Sequence, residues 1–270
     1  MAQFARREAI AAFLKGHIDG WTETPSADDL FHMLNALSRW RSNMLARTYV
    51  AREGAKILQG PFAGMAYVDH PIEGALMPRL LGAYESELHP HFEAICPQVD
   101  CVIDVGCAEG YYAVGLAHRW PNLTVYAHDI LESAQVACAE LAARNGVSAR
   151  VVVGGEMQPE DFQAYAGRRT LVLVDAEGAE VDILQPDRAP ALAYMDIIVE
   201  THDGLRTGAL ETVRSRFAAT HDIVRVEQQP KDLQIPWWLQ ELSHLDQLLA
   251  VWEWRYSPTP WLVMRPKSAA

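Results

Sequence analysis

Val102-Ile103-Asp104-Val105-Gly106-Cys107-Ala108-Glu109-Gly110-Tyr111-Tyr112 decides the fold. A short apolar run ends at Asp104-Val105, a glycine follows, and a second glycine precedes a tyrosine pair. This order predicts a buried strand, a tight turn and a helix opening after Gly110. The glycines are spaced Gly-x-x-x-Gly, with an acid two residues before the first. A nicotinamide-binding turn reads Gly-x-Gly-x-x-Gly, so a dehydrogenase is disfavoured. Missing side chains at the turn let the backbone approach a ligand closely. Asp104 suits a cationic amino group, held directly or through water, and would repel a pyrophosphate. Taken alone, such a turn occurs in many α/β proteins.

Beyond the turn, β-branched runs at residues 123–127, 150–153, 170–174 and 196–199 alternate with helical or loop stretches, including helices at 112–120 and 131–145. Residues 221–228 and 260–264 supply two last strands. Strands alternating with helices predict an α/β, doubly wound parallel sheet. Asp129 ends the second strand, where a carboxylate can accept both hydroxyls of a ribose. After Gly154-Gly155 on the third, Glu156 can meet an adenine edge. His128 faces either the ribose or solvent.

Further along lies Asp175-Ala176-Glu177-Gly178-Ala179-Glu180, directly after the fourth strand. Carboxylates crowded at a strand end repel one another, although acids at a helix N-terminus are a second reading for Glu177 and Glu180. Glu200-Thr201-His202 ends the fifth strand, and its alternation puts Glu200 and His202 on one side. Asp175, Glu177, Glu200 and His202 therefore converge on one end of the sheet. They can take a proton from an acceptor hydroxyl, His202 being the natural base. They can also hold a divalent cation; no metal is expected, but Asp175, Glu200 and His202 are the ligands if one binds, and they suit magnesium or manganese better than zinc. A carboxylate cluster can instead embrace an amine or guanidinium.

These motifs carry a resemblance. Gly110-Tyr111-Tyr112 and Asp175-x-Glu177-Gly178-x-Glu180 resemble the FkbM-type branch of the class I S-adenosylmethionine-dependent methyltransferases, over about residues 100–200. The likeness implies a Rossmann-like seven-stranded sheet with its last strand antiparallel. It implies S-adenosylmethionine at the C-terminal strand ends and an acceptor above it. Asp104, Gly106, Cys107, Ala108, Gly110 and Tyr111 then hold the methionyl part, Asp129 and Ile130 the ribose, and Glu156 and Met157 the adenine. Asp175 borders the cofactor and, with Glu177, Glu200 and His202, lines the acceptor side. Asp129 departs from the family's usual glutamate-proline pair. The implied activity is O-methylation of a small natural-product or sugar-like acceptor. N-methylation and a non-catalytic nucleoside-cofactor-binding partner are the alternatives.

Outside the motifs, residues 4–18 repeat Phe4, Ile10, Phe13, Leu14 and Ile18 at helical spacing. Ser26-Ala27-Asp28-Asp29 caps a second helix carrying Leu30, Phe31, Leu34 and Leu37. The 60–65 stretch is a turn, and a third helix spans 77–95 from Pro78. His89 and His91 read as surface residues. Residues 1–95 are thus expected to form a helical cap on a catalytic domain at 96–270, with an apolar stripe able to pair in a homodimer. Tryptophan-rich 235–256 reads as one helical segment, packed as core or inserted as a lid. Arg255 within it can pair with Glu253 or with an acidic substrate.

Of 270 residues, 23 are basic and 35 acidic, a net charge of −12 that disfavours phosphate backbones and hence nucleic acid. Cys96, Cys101, Cys107 and Cys138 form no CxxC pair, as expected of free thiols in a reducing compartment. The N-terminus lacks the apolar core of a signal peptide, and no apolar run nears the ~20 residues of a membrane span. A cytoplasmic protein without membrane attachment is the expectation.

Overall fold

In the computed structural model, residues 7–72 and 74–267 are described. Seven strands form one sheet: β1 (Cys101–Val105), β2 (Thr124–His128), β3 (Val151–Gly154), β4 (Thr170–Val174), β5 (Asp196–Glu200), β6 (His221–Val226) and β7 (Trp261–Pro266). Their order is β3-β2-β1-β4-β5-β7-β6. The first five run parallel, and β7 lies antiparallel between β5 and β6. The fold is therefore Rossmann-like and doubly wound with its last strand reversed.

Apolar runs dictate where each strand sits. β1 and β4 are buried at every position, as central parallel strands covered on both faces must be. Val102, Leu171, Leu173 and Ile198 point to one face. There they meet α5 (Tyr111–Arg119) and α6 (Glu132–Arg144). Ile103, Val172, Val174 and Ile197 point to the other, against Phe162 and α8 (Ala209–Phe217).

The N-terminal helices are α1 (Arg7–Gly20) and α2 (Ala27–Glu53). Phe4, read as the first apolar position, lies outside the described residues. Ser26 and Asp29 close a reciprocal capping box at the start of α2. Leu45 and Tyr49 of α2 belong to the same continuous apolar cluster as Val102 and Leu171, so these helices share the core of the sheet. Leu30, Phe31 and Leu34 stay about half exposed, leaving the apolar stripe of α2 facing solvent.

Two expected helices are broken. Residues 77–95 divide into α3 (Leu76–Leu81) and α4 (His89–Ile95). Gly82 (φ 69°) and Glu85 (φ 47°) turn the chain between them. A Cβ on Gly82 would lie 2.0 Å from the Gln59 carbonyl oxygen, so the close passage of residue 59 at this break requires a glycine. His89 packs beside Gly60 as a half-buried group, and His91 is also only partly exposed. Residues 235–256 likewise divide into α9 (Trp237–Gln240) and α10 (His244–Val251), restarted by the Ser243 cap. Residues 252–260 leave the helix and cross the end of the sheet. Arg41 of α2 grips Asp246 of α10 through two hydrogen bonds of 2.6 and 3.0 Å. Trp238 and Trp254 are buried, while Trp237 is exposed. Among the described residues no helix is long and apolar enough to cross a membrane.

Candidate active site

A cleft of about 910 Å³ opens at the C-terminal ends of β1 to β5. Gly106 (φ 86°) lines it, but its missing side chain serves the fold: a Cβ there would lie 1.8 Å from the Asp175 carbonyl oxygen. Gly110 does not line the cleft; its vacant Cβ position faces Cys138 Sγ at 2.8 Å. At both glycines the chain itself fills the space a side chain would take, while the Gly106 backbone borders the cleft. Between them, Ala108 takes the left-handed conformation at φ 45°, and with Cys107 and Tyr111 it forms the cleft wall. All four cysteines are free and buried. The neighbouring Cys138 thiol and burial push the Cys107 thiol far up, which leaves it un-ionised.

Asp104 is 2% exposed, and its Oδ2 has no hydrogen-bond partner. Burial, and then the charge of Asp129, push its carboxyl up to about 7. Asp129 directly follows β2 and accepts the Ala108 N–H at 2.9 Å on Oδ2 and the Leu131 N–H at 2.9 Å on Oδ1. Each oxygen keeps a lone pair for a further donor. Ile130, Glu156 and Met157 line the same end, Ile130 largely exposed and Met157 buried. His128 Nδ1 lies 3.0 Å from the Gly155 carbonyl, so its ring braces the β2 and β3 ends.

At the β4 and β5 ends, the four residues expected on the acceptor side come together. His202 Nε2 lies 3.6 Å from Asp175 Oδ1, 3.5 Å from Glu200 Oε2 and 3.7 Å from Glu177 Oε2. Burial lowers the affinity of the imidazole for its proton, but the adjoining Glu180, Glu200 and Glu177 carboxylates outweigh this and leave it raised. Burial, together with Glu200 and Glu85, holds the Asp175 carboxyl well above the usual range. Glu180 is fully buried and accepts the backbone N–H groups of Gly178 and His202, both at 2.8 Å. It ties the β4 loop to the β5 loop.

Arg255 is the center of a second set of contacts. Its guanidinium bridges Glu85, Glu200 and Thr259, and its Nε lies 3.1 Å from Glu253 Oε2. The expected pairing with Glu253 is therefore present, along with two acids that sequence reading did not connect to it. Glu85 is wholly buried, bonded to the Tyr112 hydroxyl, and pushed up to about 8 by burial and by Glu200. Lys231 reaches Glu87 and Glu253 at 2.6 Å each. Two more pairings were not anticipated: Arg79 binds Glu109 at 3.1 Å, and Arg39 lies 5.4 Å over the Trp254 ring. Nothing in the one-dimensional pattern marks these, since the partners lie 30 to 215 positions apart. The 235–256 segment contributes both to packing and to the cleft wall. Its α10 packs on α2, and Trp254, Arg255 and Tyr256 line the cleft.

No family model matches the chain, and no curated protein matches it. Among solved structures it is similar to the O-methyltransferase TomG of Streptomyces achromogenes, solved with SAM, at 12% identity over 99% of this chain and 100% of that chain, TM-score 0.46. An O-methyltransferase of Bacillus cereus solved with SAH matches at 10% identity over 95% and 97%, TM-score 0.44. A Clostridium thermocellum protein described as an rRNA-methylase matches at 14% identity over 68% and 97%, TM-score 0.47. At such identities, function has to be read from the site's own chemistry.

Proposed function

We propose that the chain is an S-adenosylmethionine-dependent methyltransferase of the FkbM type that methylates an oxygen of a small-molecule acceptor. One observation carries this reading: Asp104 and Asp129 end adjacent strands on one cleft, and the buried Asp104 Oδ2 has no partner. An unpartnered buried carboxylate oxygen is costly unless a cation or donor arrives. The α-ammonium of S-adenosylmethionine meets that need, and the free lone pairs of Asp129 fit ribose hydroxyls. Glu156 and Met157 would flank the adenine. When bound, the cofactor supplies an electrophilic methyl group on a sulfonium centre.

The chain's own work is positioning and proton removal. Asp175, Glu200 and His202 face the acceptor space and receive the proton an acceptor hydroxyl gives up. Glu177, with its side chain 62% exposed, can pass it on to water. The surplus of carboxylates here favours an amine acceptor as the second reading. Nuclear magnetic resonance of the product separates the two by locating the new methyl group on oxygen or on nitrogen.

Calorimetry with S-adenosylhomocysteine tests the cofactor assignment. Binding is expected in the wild-type chain, and the absence of heat rejects the proposal. Asp129→Ala removes two charge-assisted hydrogen bonds to the ribose and should weaken binding about 100-fold. Unchanged affinity would take the ribose away from Asp129.

Affinity should also depend on pH through Asp104. Its folded carboxyl is raised to about 7, so below that pH the cofactor-free site holds a proton. The ammonium needs the carboxylate, and binding must then expel that proton. Affinity is expected to fall as pH drops below about 7, by up to roughly tenfold per unit, and to level off above it. Asp104→Asn should bind weakly with no such slope; a slope that persists in this variant would assign it to another group.

A further inference from the structure

We propose that Arg39 and the Trp254 indole N–H form a subsite for a carboxylate, and that the molecule methylated in this cleft is an acid. That the bound acid is the methyl acceptor rests on the methyltransferase reading, whereas carboxylate binding itself does not.

The charges around the cleft single out Arg39. Acids dominate the wall, and the other two arginines that line it are already engaged. Arg79 pairs with Glu109 at 3.1 Å, and Arg255 pairs with Glu85, Glu200 and Glu253. Arg39 reaches the cleft from α2, is half-buried, and among the described residues has no acid paired with it. Its guanidinium lies 5.4 Å over the Trp254 ring, so the indole takes its face. Stacking leaves the in-plane edge, along which the N–H groups point, for a partner. Nε on that edge is buried without a hydrogen bond. A carboxylate gripping an arginine side-on takes Nε and one terminal nitrogen together.

Trp254 supplies the second observation. It is 8% exposed, lines the same cleft, and its Nε1 is likewise buried with no acceptor. Two neighbouring buried donors without acceptors are each costly, and one anion with two oxygens answers both. The chain holds Trp254 at φ 65°, a strained conformation for so bulky a residue, so its surroundings rather than local preference fix the ring.

The same charges orient an acidic acceptor. Arg255, the next residue, reaches Glu200 at the β5 end, which puts Trp254 on the acceptor side. The carboxylates at the β4 and β5 ends repel an acid, while Arg39 attracts it. The acid is then held near α2 and the acceptor hydroxyl turns toward His202. A neutral analogue leaves the two donors unmet and is rejected for that reason.

Calorimetry of the full chain with acetate, benzoate and salicylate, each against its own amide, tests the subsite. At least one carboxylate is expected to bind about tenfold or more tightly than its amide. Arg39→Gln should remove that preference, Arg39→Lys should keep part of it, and Trp254→Phe should weaken the acid alone by about fivefold. Arg39→Gln strands no acid, so its thermal unfolding midpoint should stay within about 2 °C of the wild-type value. No carboxylate preference up to about 10 mM, or a preference that survives Arg39→Gln, would overturn the proposal. S-adenosylhomocysteine binding is measured on the same wild-type samples. Nucleoside binding without carboxylate preference overturns the subsite alone. An Arg39-dependent preference without nucleoside binding upholds the subsite and overturns the cofactor reading.

Discussion

Replacing Arg255 with methionine is expected to lower the thermal unfolding midpoint by about 10 °C. The guanidinium is 14% exposed and contacts Glu85, Glu200 and Glu253, whose side chains are 0%, 5% and 0% exposed. Removing one member of a buried ion network strands the others without solvent, at about 3 to 5 kcal/mol. A chain of this size loses roughly 2 to 4 °C per kcal/mol. Methionine fills much of the same volume, so the loss reports charge rather than a cavity. Arg255→Lys keeps the charge but not the fork that reaches three acids, and should fall between. The comparison is Arg169→Met, which removes an ion pair with Asp100 whose side chains are 70% and 48% exposed. It should cost less than about 1 kcal/mol. Differential scanning calorimetry of the three variants decides; equal midpoints for Arg255→Met and Arg169→Met would show that the network adds nothing to stability.

Gly106→Ala should have an effect as large, on both the fold and the cleft. Its φ of 86° is disfavoured for any residue with a Cβ, by about 1 to 2 kcal/mol. A methyl group would also lie 1.8 Å from the Asp175 carbonyl oxygen and 2.8 Å from its carbonyl carbon. That carbonyl cannot easily retreat, because the Asp175 N–H donates to the Val105 oxygen at 2.9 Å and fixes β4 beside β1. Forcing the strands apart adds about 2 kcal/mol or more. It also moves Asp104 relative to Asp175, so nucleoside binding should be lost even where the variant folds. Gly178→Ala isolates the conformational part. It too has a left-handed φ, of 99°, but its Cβ would meet only Leu205 and Arg206 at 3.6 and 3.8 Å. Urea unfolding should place Gly178→Ala near 1 to 2 kcal/mol and Gly106→Ala well beyond it; similar losses would mean the close approach has no energetic consequence.

The sheet was legible in the sequence because its signal is local. Each strand is a short β-branched run, and residues such as Val102 and Ile103 carry their burial in their own chemistry. The acids at strand ends were legible for the same reason: Asp104, Asp129, Asp175 and Glu200 each follow or end an apolar run. Helix breaks were less visible. Residues 77–95 keep good helix formers, and only the approach of Gln59 to Gly82 explains the turn. At Gly106 and Gly110 sequence shows that a side chain is missing but not that the Asp175 carbonyl and Cys138 occupy the space.

Sequence alone thus determined the α/β class, the succession of strands along the chain and the set of carboxylates at their ends. Periodicity and turn chemistry act between neighbours, so they survive in one dimension. Tertiary structure decided how those carboxylates are balanced. Arg255 lies 170 positions from Glu85 and 55 from Glu200, yet it binds both. Folding brings that cation over the strand ends, and it leaves Asp104 Oδ2 and His202 Nδ1 without a hydrogen bond. Those unmet polar atoms, produced by burial rather than by composition, turn a row of acids into a site that calls for a ligand.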